Sequence, residues 1–201
     1  MGNKSEEKVY IDLISYPLNS LGPDTRVGIW FQGCDIGCNG CISTYTWEQT
    51  EDKLMNIDEL AYKLNNFKTK KLTISGGEPF NQAKGLQKLL VSIRKKFDDI
   101  LIYSGYEYEY LQQNHSSILQ LVDVLIDGPF LQEEPTQKIY KGSKNQRMYI
   151  FNNNLIKLYK KHMTKTNRKL QLHIMKNQQY ILGIPDINDS KKIQKILNGE
   201  Y

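Results

Sequence analysis

Only three of the 201 residues are cysteine, and all three fall between positions 34 and 41. Three thiols crowded into eight residues cannot form a disulfide framework. Proline (6) and tryptophan (2) are scarce, and no Pro-, Gly- or Ser-rich stretch divides the chain, so one domain, at most two, is expected. No apolar run approaches the roughly 20 residues of a membrane span, which speaks against an integral membrane protein. Met1-Gly2-Asn3-Lys4-Ser5-Glu6 lacks the apolar centre of a signal peptide, and Glu6 stands where a myristoylation signal wants Ser or Thr. A cytoplasmic protein is therefore expected. A strong excess of one charge is missing too: 27 Lys+Arg against 22 Asp+Glu leaves +5. The basic residues fall in short runs such as Arg94-Lys95-Lys96 and Lys160-Lys161, read as solvated helix ends. Runs this short make a poor footprint for nucleic acid, so neither a nucleic-acid nor a membrane partner is expected.

What the chain does have is material for a core: 39% apolar residues, with 13 Tyr and 6 Phe that a solvated tail would not carry. Residues 9–15, 26–31, 72–75, 100–103 and 122–126 read as strands rich in β-branched and aromatic residues. Helical periodicity appears at 57–66 (Ile57, Leu60, Ala61, Leu64), at 82–97 (Leu86, Leu89, Leu90, Ile93) and around 107–121. Nearly all-apolar strands alternating with helices predict a parallel sheet covered by helices. Ligands of such sheets sit beyond the carboxyl ends of the strands. The cysteine loop follows one strand and Gly76-Gly77-Glu78-Pro79 follows another, so both should open on the same edge. Beyond residue 150 the pattern changes to a helix over 153–162, a hairpin over 170–184 interrupted near Lys176-Asn177, and a short helix over 191–197.

The cysteines form Cys34-x3-Cys38-x2-Cys41, interleaved with Gly33, Gly37 and Gly40. Thiols at this spacing converge on a metal or cluster, and the glycines let the loop wrap tightly around it. Structural zinc sites use four ligands, commonly two separated pairs. No fourth cysteine exists here, and His115, His162 and His173 lie far downstream, where they read as ordinary surface or core residues. A [4Fe–4S] cluster normally takes four thiolates, so three would leave one iron open to another ligand.

This spacing, together with Ser75-Gly76-Gly77-Glu78-Pro79 after a later strand, resembles the radical S-adenosylmethionine superfamily. A narrower likeness joins four further stretches: 22–26, 104–109, 122–130 and 141–147, the last reading Lys-Gly-Ser-Lys-Asn-Gln-Arg. Together they resemble the activating enzymes of anaerobic ribonucleotide reductase over about residues 9–150. The resemblance implies an α/β fold of the radical-S-adenosylmethionine type, an incomplete (open) β/α barrel over residues 1–150. Residues 151–201 then form a hairpin-plus-helix extension packed on that core rather than an independent domain. The compact activators end near the 141–147 stretch, so the extension departs from their pattern.

The resemblance also implies a chemistry. Cys34, Cys38 and Cys41 hold a [4Fe–4S] cluster, and the free iron chelates S-adenosylmethionine. One electron cleaves it to methionine and a 5′-deoxyadenosyl radical, which abstracts hydrogen from a glycine of a glycyl-radical-type partner protein. Ser75, Gly76, Gly77, Glu78 and Pro79 would meet the methionine moiety, with Glu78 facing its ammonium. Asn39, Gly40, Cys41 and Ile42 would pass the adenine, and Ser104 and Tyr106 would contact ribose or adenine. No catalytic side chain is expected beyond the cluster and S-adenosylmethionine. Asp127 could serve ligand or partner; for Tyr106 and Asp127 core packing and turn capping stand as equal alternatives to such roles. Arg26 and Arg147, which could bind a carboxylate, are expected by default to pair at the surface. With no further cysteine sets, an external flavodoxin- or ferredoxin-like donor must supply the electron. Two other readings stay open: a radical enzyme acting on a peptide or small molecule, and a zinc-stabilised binding module.

Overall fold

Arg26–Phe31 (β2) is buried at every position, as befits a strand in the middle of a sheet. The computed structural model, which describes residues 7–175 and 178–186 together with 189, 192 and 193, places it there. Lys8–Leu18 (β1), Leu54–Asn56 (β3), Lys71–Gly76 (β4), Asp99–Tyr103 (β5), Val124–Asp127 (β6) and Arg147–Ile150 (β7) complete a seven-stranded sheet. Its order is β3-β1-β2-β4-β5-β6-β7. β2, β4, β5 and β6 run parallel, as the alternation of strands and helices predicts. The wholly parallel sheet is corrected at both edges, where β1, β3 and β7 pair antiparallel. The link between β1 and β2, residues 19–25, is too short for the crossover that parallel pairing demands.

Ile57–Asn65 (α1), Ala83–Ile93 (α2) and Tyr108–Leu119 (α3) supply the crossovers. Asn56 starts α1 by accepting from the Asp58 N–H at 2.8 Å, and Ile57, Leu60, Ala61 and Leu64 form its buried face. α2 ends at Ile93, earlier than the predicted 97. These helices pack on the sheet face that carries Val27, Ile29, Phe31, Ile74 and Ile102. Alternate residues point the other way. That second face carries Trp30, Leu101, Val124 and Ile126. It is met by Tyr159 of Ile156–Met163 (α4) and by Tyr180 and Leu182 of a hairpin, Gln171–Met175 (β8) and Gln178–Leu182 (β9). The predicted interruption at Lys176-Asn177 lies outside the described residues, as does most of the predicted helix 191–197.

Arg26 is not at the surface, as expected for it, but 0% exposed on this second face. Its Nε donates to Thr73 Oγ1 at 2.7 Å, one terminal nitrogen to Asp99 Oδ2 at 2.7 Å and to the Pro23 carbonyl, the other to Asp99 Oδ1 at 2.9 Å and the carbonyls of Leu72 and Asp99. Tyr159 adds a bond to Asp99 Oδ1 at 2.7 Å. A buried charge is tolerated when its partners are this complete. Removing one partner strands the other. Arg26→Ala is therefore expected to cost about 3–5 kcal/mol in urea unfolding, and Tyr159→Phe about 1.5–3 kcal/mol.

Candidate functional site

The parallel register aligns Phe31 with Gly76, Ile74 with Ile102 and Tyr103 with Ile126. Four loops therefore rise from one edge: the cysteine loop after β2, and those that follow β4, β5 and β6. Between them lies a cavity of about 130 Å³. Cys34, Cys38 and Cys41 line it together with Ser75, Gly76, Gly77, Glu78 and Ser104.

Backbone bonds hold the cysteine loop against the β4 loop. Gly33 donates to Thr46 O at 2.7 Å and Cys34 to Trp47 O at 3.0 Å, while Gly77 reaches Phe31 O and Glu78 reaches Gly33 O, both at 2.8 Å. The approach is so close that a Cβ on Gly77 would collide with the Gly33 carbonyl, and Gly76 adopts φ +115°. Only glycines serve at these two positions.

Two of the three sulfurs accept backbone N–H groups, Cys38 from Phe130 at 3.3 Å and Cys41 from Ser43 at 3.4 Å. Burial pushes both thiols up; these N–H bonds work the other way and the neighbouring cysteines add to the rise. Soft thiolates with amide donors aimed at sulfur are the donor set of an iron–sulfur cluster, which these residues fit. Among the described residues no three His, Cys, Asp or Glu are grouped for a single metal ion. Thiolates that each take a different iron need no such grouping.

Glu78 is 1% exposed. Its Oε1 accepts from Phe80 N and Ser104 Oγ, both at 3.0 Å, and its Oε2 from Gly105 N at 2.7 Å. The carboxylate thus locks the β4 and β5 loops together. Burial nevertheless pushes its pKa up to about 7, against the pull of those three donors.

Gly40, Cys41, Ile42 and Ser75 line an adjoining cavity. Asn39, Pro79 and Tyr106 line neither of these two cavities. The Tyr106 hydroxyl instead donates to the Asp35 carboxylate at 2.9 and 3.0 Å and its ring stacks on Tyr110 at 4.8 Å. Asp127 is buried and caps rather than lines: it accepts from Tyr108 N at 2.7 Å, at the start of α3, and from Arg147. Arg147 also pairs with Glu109 at 2.6 Å, the surface pairing expected of it. The histidines make local contacts: His115 lies against Phe80, His162 bonds Tyr140 and His173 bonds Ser15.

The sequence assigns no site role to Trp47, Tyr103, Gly105, Gly128, Phe130 or Gln146, all of which line the cavity that the three cysteines share. Gly105, Gly128, Phe130 and Gln146 stand within the stretches that carry the family resemblance; Trp47 has no such signal. The 141–147 stretch proves to be wiring for the loop after β6. Gln146 Nε2 donates to Gly128 O at 3.0 Å, Asn145 to Pro129 O at 2.8 Å, and Ser143 Oγ accepts from Leu131 N at 3.1 Å.

A carboxyl raised from 4.5 to about 7 on folding keeps its proton longer in the folded chain. Stability of the metal-free chain then falls as pH rises from 4.5 to 7, by up to about 3 kcal/mol. Glu78→Gln is expected to flatten that fall, measured by urea unfolding across the range.

A sequence family described as "4Fe-4S single cluster domain" matches residues 20–149. The anaerobic ribonucleoside-triphosphate reductase-activating protein of Enterobacteria phage T4 is 32% identical over 142 residues, 67% of this chain and 90% of its own. The protein of that name from Vibrio cholerae is 32% identical over 151 residues, covering 68% and 95%. Among solved structures, QueE from Escherichia coli shares 18% identity over 49% of this chain and 51% of its own, with a TM-score of 0.34, a likeness too slight to carry the fold. On its cysteine motif and these relatives, the chain belongs to the 4Fe-4S single cluster domain family and to the anaerobic ribonucleoside-triphosphate reductase-activating proteins.

Proposed function

We propose that this chain is a glycyl-radical activase acting on an anaerobic ribonucleoside-triphosphate reductase. One observation carries the reading: the three cysteines meet Ser75–Glu78 in a single cavity at the carboxyl ends of the parallel strands. When bound, a [4Fe–4S] cluster and S-adenosylmethionine would supply the radical chemistry that removes a hydrogen atom from a glycine of the partner.

The chain's own residues bind, orient and exclude water. Cys34, Cys38 and Cys41 would hold the cluster. Gly76 and Gly77 leave their backbone open to the methionine moiety, beside Ser75 and Pro79. Of the roughly four acceptor positions on the Glu78 carboxylate, three are filled by Phe80, Ser104 and Gly105. The remaining one, on Oε2, suits an ammonium, which would favour the charged form that burial opposes. Asn39, Gly40, Ile42, Ser104 and Tyr106 are the remaining proposed S-adenosylmethionine contacts. The Tyr106 N–H donates to Ser104 Oγ at 3.1 Å and its carbonyl accepts from the Gly128 N–H at 3.2 Å, while its hydroxyl turns to Asp35. Trp47 and Phe130 supply apolar walls that limit water around a reactive species.

The fold that this activity implies is an open β/α barrel over 1–150, with 151–201 as an extension packed upon it. Tyr159, buried against Asp99, and Leu182, buried beside Trp30, support that division. A cytoplasmic setting, an external flavodoxin- or ferredoxin-like donor and the lack of a nucleic-acid partner complete the reading. Among the described residues no helix is long and apolar enough to cross a membrane.

Anaerobic reconstitution tests it. The chain should take up about four irons, form 5′-deoxyadenosine with dithionite and S-adenosylmethionine, and raise a glycyl-radical signal on the reductase by electron paramagnetic resonance. Replacing any of the three cysteines by serine should abolish the last two. One tightly held zinc with no 5′-deoxyadenosine would overturn the proposal.

A further inference from the structure

The cluster cavity continues past the cysteines. Cys41, Ser75, Tyr103, Phe130 and Gln146 line it and also line a neighbouring cavity of about 160 Å³. The chemistry changes across that boundary, because Leu21, Trp30, Ile181, Ile184 and Pro185 make the far walls apolar. Ile181, Ile184 and Pro185 fall beyond the 20–149 matched by the family profile. This chain therefore adds from its C-terminal part a wall that the shared family region does not contain.

That wall is anchored. Leu182 is 1% exposed, and with Tyr180 it packs against Leu13, Leu18, Leu21 and Trp30. His173 Nδ1 bonds Ser15 Oγ at 3.0 Å, and Gln171 Oε1 accepts from Asn19 N at 3.0 Å. Tyr180 also meets Tyr45, four residues after the last cysteine, with ring centroids 6.0 Å apart. The half-buried guanidinium of Arg168 donates to the carbonyls of Pro185 and Thr136, and to that of Lys141 at 2.9 Å. One side chain thus ties Pro185 on one wall to the loop that carries Gly142 and Gln146 on the other.

We propose that residues 181–185, held by Arg168, form a docking wall for the segment of the reductase that carries the target glycine. The inference rests on the activase reading and adds to it the surface that selects the partner. Two features favour a protein segment as occupant. The cavity opens directly onto Cys41 and Ser75, and its inner side carries the proposed S-adenosylmethionine contacts Gly40 and Ile42, so a segment lying on the outer wall faces the reacting centre. That outer wall is apolar, and a glycine brings no side chain to obstruct close backbone approach.

The test uses the full chain and the anaerobic ribonucleoside-triphosphate reductase from the same genome. Ile184→Asp places a charge on the wall, Arg168→Gln releases Pro185, and Ile181→Asp alters a side chain already 37% exposed, where the fold tolerates it. Without the reductase, each variant should form 5′-deoxyadenosine within about twofold of the unaltered chain. Affinity for the reductase, measured by calorimetry on the cluster-free proteins, should weaken about tenfold or more for Ile184→Asp and Ile181→Asp, and glycyl-radical yield should fall with it. Unchanged affinity and yield in both aspartate variants overturns the docking wall and leaves the activase reading intact. Loss of 5′-deoxyadenosine with affinity retained assigns the wall to S-adenosylmethionine and overturns it equally. If the unaltered chain forms 5′-deoxyadenosine but raises no radical on the reductase, the activase reading fails and takes the wall with it.

Discussion

A guanidinium with no access to water sits at the foot of the sheet, and the geometry above it depends on that group being satisfied. Arg26 joins β2, β4 and β5 at the ends remote from the cysteines, and through Asp99 it draws in Tyr159 of α4. A slip of one residue in any of these strands would turn its buried face outward and remove a partner from the charge. Apolar packing alone penalises such a slip; an unsatisfied buried charge penalises it far more. The six residues of β2 span about 20 Å, so register set at the foot is delivered intact to Phe31, Gly76 and Tyr103, where the four loops leave the sheet.

The loops keep that alignment through polar wiring rather than a core of their own. Glu78 joins the β4 and β5 loops, Gln146 and Asn145 hold the loop after β6, and Tyr106 reaches back to Asp35 in the cysteine loop. Each bond is modest, but they close a ring around the cavity, so the positions of the sulfurs and of the Gly76–Gly77 backbone are set before anything binds.

Much of this was legible in the residues. The 3.6-residue spacing of Leu60 and Leu64, or of Leu86 and Leu90, marks a helix whatever surrounds it, and Cys34-x3-Cys38-x2-Cys41 requires only a tight loop. What local pattern cannot carry is pairing at a distance. Nothing around Arg26 points to Asp99, 73 residues away, so the local sequence suggests surface pairing where the fold buries the pair. β3 has three residues and β7 grows out of a polar stretch, and neither is long enough to show a period. The antiparallel edges follow from connection geometry, not composition. Tyr106 and Pro79 stand beside residues that line the cavity without lining it themselves, because loop side chains do not share one direction.

With the proposed cluster in place, the backbone N–H groups of Phe130 and Ser43 that point at Cys38 and Cys41 would bear on its electron affinity. A sulfur already sharing a proton gives less charge to its iron, which shifts the reduction potential of a cluster upward and eases the arrival of an electron. Because these donors belong to the main chain, no side-chain deletion removes them. Tuning that potential means moving the peptide itself, and Phe130 N is carried by the loop that Asn145 and Gln146 fasten.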